Sequence, residues 1–171
     1  QVLDVAELTR AKEIVLPDDM LSAPNTAYMT AQAVGSLQSR YGRNGLPTDC
    51  EGVMVVPHGN SIDEWIDCAR QLAMTTIQYP CSFGIAEKDA LKLTKGKRNN
   101  LALHLIDAVS GIIDVSIHYL GMMENLSDLH DRWTQTNVRG VDGSKLVVHG
   151  LYETDVTRAD IMFGEVPKYP A

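Results

Sequence analysis

Positive charge is what this chain has too little of. Its 15 lysines and arginines face 22 aspartates and glutamates, for a formal net charge of −7. That balance argues against long-range attraction to nucleic acid or to an anionic membrane. One basic stretch, KLTKGKRNN at 92–100, gathers Lys92, Lys95, Lys97 and Arg98. No aromatic side chain lies among these charges to stack a base. It reads as a solvated loop, with binding of an acidic partner as the alternative.

Cysteine is also scarce. Cys50, Cys68 and Cys81 are an odd number and lack the short spacings of a zinc knuckle or redox motif. Three free thiols in a reducing compartment are the simplest reading, and one disulfide plus one thiol is the other. Internal repeats, low-complexity segments and polar linkers are missing too. With 44% hydrophobic and 22% charged residues, the expectation is one α+β domain over 1–171, with an extended tail at 163–171. A chain that starts at Gln1 suggests a trimmed, engineered or released N-terminus, so a targeting segment is not excluded and localisation stays open.

Several elements are legible. Residues 3–13 carry a weak helical pattern that LPDD at 16–19 interrupts. A helix is expected from about Asn25 to Tyr41, with Ala27, Ala31, Val34, Leu37 and Tyr41 as its stripe. GVMVV at 52–56 reads as a short buried strand between Gly52 and Pro57. Ser61 and Glu64 form a capping box, and Ile62, Trp65, Ile66, Ala69, Leu72 and Ala73 give the following helix its apolar face. AEKDALKLTK suggests another short helix, and MENLSDLHDRW a helical continuation farther on. Towards the end, WTQTNVRG and KLVVHGLYET around Asp142-Gly143 predict a β-hairpin.

The segment LALHLIDAVSGIIDVSIHYLGMM, 101–123, is apolar enough to raise a membrane question. Its two aspartates and two histidines make a buried element of a soluble protein the better reading. On a continuous helix, His104, Asp107, Gly111, Asp114 and His118 fall within roughly 80° of arc. Imidazole and carboxylate side chains on one face suit acid–base pairing or a metal. His104 and His118, though, would stand about 21 Å apart along the axis, too far for one site. A plain outlet to water explains the stripe without any ligand. GIIDVSIHYLG also alternates like a strand, and a strand at 112–120 splits the stripe.

The strongest single location is VVPHGNS, 55–61, where a strand meets a helix. There His58, Gly59, Asn60 and Ser61 offer directed side chains and helix N-terminal amides for an anion, although proline, glycine, asparagine and serine are also what an ordinary turn uses, and a structural turn is the plainer reading. Walker A, G-x-G-x-x-G, G-x-S-x-G and H-E-x-x-H patterns are absent, and no cofactor or metal is called for. The leading expectation is a self-associating structural or assembly subunit without catalytic activity. The first alternative is a small enzyme acting on a small anion at His58, with His104 or His118 as acid or base. The second is a small-ligand-binding regulatory module.

Overall fold

The computed structural model describes residues 2–121 and 137–141. In chain order the elements are α1 (Val2–Thr9), β1 (Glu13–Val15), α2 (Ala23–Tyr41), β2 (Gly52–Val55), α3 (Ile62–Thr76), β3 (Cys81–Ala86), α4 (Glu87–Thr94), α5 (Arg98–Val109), β4 (Ile117–Leu120) and β5 (Val138–Val141). All five strands are parallel, and their order across the sheet is their order in the chain.

Sequential parallel order has a geometric consequence. Crossovers of one hand deliver every intervening helix to the same face of the sheet. That face holds the core: Ile14, Val53, Val55, Phe83, Ile85, Ile117, Tyr119 and Val138 from the strands meet Leu37, Trp65, Ala69, Leu72, Leu101 and Leu105 from the helices. α2 packs on α3, and α3 on α5. Ser61 caps α3 as its spacing predicts, its Oγ accepting the Glu64 amide at 3.1 Å.

The opposite face is curled. Glu13 of β1 accepts a hydrogen bond from Ser82 of β3 at 2.6 Å and pairs with Arg139 of β5, whose guanidinium also donates to Ser82 at 3.1 Å. Four strand spacings of about 4.8 Å would put β1 and β5 about 19 Å apart in a flat sheet. Glutamate and arginine side chains together do not span that distance, so the sheet must bend towards them. Above this layer, Val56 and Leu120 close over Gly84, leaving no room for a Cβ there. Alternate layers drawn from odd and then even strands are the packing of a parallel barrel wall.

This arrangement corrects the expected fold class. In place of one short buried strand and a C-terminal hairpin, the α+β domain has five helices and a five-stranded, fully parallel sheet among the described residues. The first arm of the expected hairpin is β5, and it pairs in parallel with β4. The Asp142-Gly143 turn, the second arm, the helical continuation at 123–133 and the tail at 163–171 lie outside the described residues. A local turn signal cannot reveal that a strand's partner lies earlier in the chain and runs the same way. Likewise, 101–120 is not one helix. α5 ends at Val109, Gly111 lies in the turn, and β4 starts at Ile117. No described helix is long and apolar enough to cross a membrane.

Candidate functional site

Three neighbouring strands each place one polar side chain three residues beyond their last strand residue: Asp18 after β1, His58 after β2 and Asp89 after β3. Because the strands are parallel and adjacent, equal offsets bring these residues together at one edge. That edge holds the carboxyl ends of the strands, where parallel α/β sheets build their sites.

His58 stands in the middle and is 2% exposed. Its Nε2 lies 2.6 Å from Asp18 Oδ2, and its Nδ1 lies 2.7 Å from Asp89 Oδ2. A neutral imidazole has one N–H and cannot donate to both carboxylates. The geometry therefore fits the doubly protonated ring. Burial on its own pushes the imidazolium's pKa down. The hydrogen bonds and charges of Asp18 and Asp89 outweigh it and raise the pKa from 6.5 to about 9. Two carboxylates and one imidazolium leave the triad with a net charge of −1. With both ring nitrogens donating, His58 keeps no lone pair for a metal.

The two carboxylates differ in exposure. The Asp89 side chain is 8% exposed and that of Asp18 is 30% exposed. Asp89 is an anchor inside the protein, and Asp18 is the member that solvent or a ligand reaches. Asp18 also uses only Oδ2 towards His58.

The loops that carry the triad are tightly held. Gly59 is buried against the first turn of α3, and a Cβ there would meet the Trp65 backbone, with Cα at 2.7 Å. Lys92 of α4 donates to Asn60 Oδ1 at 2.6 Å and approaches the Gly59 carbonyl at 3.4 Å. α4 thus grips the β2–α3 loop twice, through Asp89 and through Lys92. On the β1 side, Asp19 accepts from the Leu21 amide and from Asn25 Nδ2, which hold its carboxyl below the usual range.

Of the residues singled out in the sequence, His58 occupies the centre. Gly59, Asn60 and Ser61 serve the loop. The Asn60 amide donates to Glu64 at 2.9 Å and the Glu64 amide to Ser61, so these two amides already have intramolecular acceptors. The two other histidines do not join His58. His104 is exposed on α5, as is Asp107 one turn farther on. His118 is half-buried on the curled face of β4, its ring occupying the place of a Cβ on Gly140. Asp114 lies exposed in the connection between them.

Asp18 and Asp89 were missed. Asp18 sat in a stretch read only as an interruption, and Asp89 in a short amphipathic helix. The signal was a carboxylate just past a strand, hidden because β1 and β3 were not recognised. Arg98, expected in a solvated loop, is buried as the first residue of α5, 3.9 Å from Glu87 and over the Tyr119 ring. All three cysteines are free. Burial pushes the Cys68 thiol up and the Cys81 thiol up to about 11, so neither is activated.

The fold and the triad define a fully parallel sheet, helices on one face, with a carboxylate–imidazolium–carboxylate cluster at its carboxyl edge. Comparison with protein-family models, with curated proteins and with solved structures gives no match.

Proposed function

We propose that the chain is an enzyme, or the subunit of one, with its site at the carboxyl edge of β1–β3 and Asp18 as the group that meets the substrate. The observation that carries this reading is the buried His58 imidazolium clamped by Asp18 and Asp89. Charged groups brought together out of water at the carboxyl edge of a parallel sheet are functional-site candidates, because burial and paired charge there tune protonation. A surface ion pair would hold two loops together at lower desolvation cost.

The roles follow from access and protonation. His58 carries its proton through neutral pH, has both N–H groups committed and is shut off from solvent, so it is a positioning residue. Asp89 fixes the ring from behind. Asp18, oriented by the imidazolium, offers its second oxygen as a general base towards a substrate proton. A triad of net charge −1, beside Asn60 and Glu64 amides that already have acceptors, favours a neutral polar or cationic substrate over the small anion of the enzyme alternative.

Assembly draws less support. Among the described residues the most exposed apolar side chains, Leu21 at 88% next to Met20 in the β1–α2 loop and Leu8 at 86% with Val5 on α1, lie in different segments, and small exposed apolar groups are ordinary on a protein surface.

The test is to incubate the wild-type chain and Asp18→Asn separately with a mixed extract of small polar metabolites and to follow each species by mass spectrometry. The expected result is at least one species consumed by the wild type and consumed about 100-fold more slowly by the variant. Equal consumption by both proteins, or none by the wild type, would overturn the proposal.

A further inference from the structure

The loop that presents Asp18, residues 16–22, is fastened to α2 on both sides of that residue. Ahead of it, the Pro17 carbonyl accepts from Thr30 Oγ1 at 3.4 Å. Behind it, Thr26 Oγ1 accepts the Asp19 amide at 2.8 Å and donates to the Asp19 carbonyl at 3.0 Å. Thr26 and Thr30 stand one turn apart on the buried face of α2, at 0% and 1% exposure. Threonine is an indifferent helix former, and a buried hydroxyl without a partner costs about 1–3 kcal/mol. These two hydroxyls are spent on the backbone either side of Asp18.

We infer that Thr26 is a positioning residue for Asp18, its hydroxyl setting the backbone of Asp19 so that the Asp18 carboxylate meets the His58 ring. The role rests on the site reading above, but its measurement needs no substrate. Thr26 makes both of its contacts to one peptide neighbour, as donor and as acceptor, and so fixes that residue's orientation as well as its distance. Thr30 holds Pro17 through a single longer bond and contributes less. A 2.6 Å contact between Asp18 and His58 tolerates little drift in the loop.

The test compares Thr26→Val, which keeps the shape and loses the hydroxyl, with Thr26→Ser, which keeps the hydroxyl. Nitrogen-15 NMR of the His58 ring across pH is the readout. In Thr26→Val the Asp18 hydrogen bond to Nε2–H is expected to weaken, and the His58 pKa to fall by about one unit or more. Thr26→Ser is expected to restore the wild-type titration. A His58 titration unchanged in Thr26→Val, or unrestored in Thr26→Ser, would overturn the assignment. Amide exchange at Asp19 in the wild-type chain decides the matter if Thr26→Val does not fold, since exchange at an unprotected rate there contradicts the bond. Failure of the metabolite test with these NMR results intact would remove the enzyme reading and leave the positioning role standing.

Discussion

His58 Nε2 and Asp18 Oδ2 lie 2.6 Å apart although 40 residues of chain separate them. The contact joins the loop after β1 to the loop after β2. Asp89 adds the end of β3 from the other side of the ring. One imidazolium therefore ties three consecutive strand ends together, and the stability of this edge depends on its proton.

The pH dependence follows. The His58 pKa is raised from 6.5 to about 9 in the folded protein. Between those values the folded chain holds a proton that the unfolded chain has lost. The stabilisation is thus complete below about pH 6.5 and declines as pH rises through about 9, with a total of roughly 3 kcal/mol. Urea unfolding at a series of pH values should show this fall. A curve flat from pH 6 to pH 10 would contradict the charged ring.

Removing either carboxylate's charge tests the asymmetry of the clamp. Asp89→Asn leaves a buried imidazolium without its inner counter-charge and is expected to cost about 3 kcal/mol. Asp18→Asn acts at a side chain that solvent partly reaches, and is expected to cost about 1 kcal/mol. Both lower the His58 pKa. If Asp18→Asn proves the more destabilising in denaturant unfolding, Asp89 is not the anchor.

Gly59 is the tightest point of the β2–α3 loop. In Gly59→Ala the new methyl group runs into the Trp65 backbone, which belongs to a helix and cannot step aside. A loss of about 2 kcal/mol is expected in thermal unfolding, with displaced His58 ring signals. An alanine variant as stable as the wild type would show that the loop has slack.

What could be read in advance was local. Ser61 and Glu64 announce the start of α3 because a capping box needs only residues three apart. β2 declares itself through GVMV, four residues that are all buried. The face of α2 is as expected only in its second half. Val34 and Leu37 are buried as expected, but Thr26 and Thr30 take places assigned to Ala27 and Ala31, because they serve the β1–α2 loop as well as the core. β3, CSFGIA, escaped because cysteine, serine and glycine dilute its strand pattern. Gly84 is small because Val56 and Leu120 lie over it, a reason found only on neighbouring strands.

The sequence by itself determined where α3 is capped, that β2 is buried and that His58 stands at a strand-to-helix junction, since each depends on residues a few positions apart. Only the tertiary structure decided that the strands are all parallel and in chain order, that Asp18 and Asp89 flank His58, and that His104 and His118 do not. Parallel pairing is made between distant segments through backbone groups that every residue carries. The order of strands, and with it the company each side chain keeps, is therefore set by how the whole chain packs its helices onto one face of the sheet.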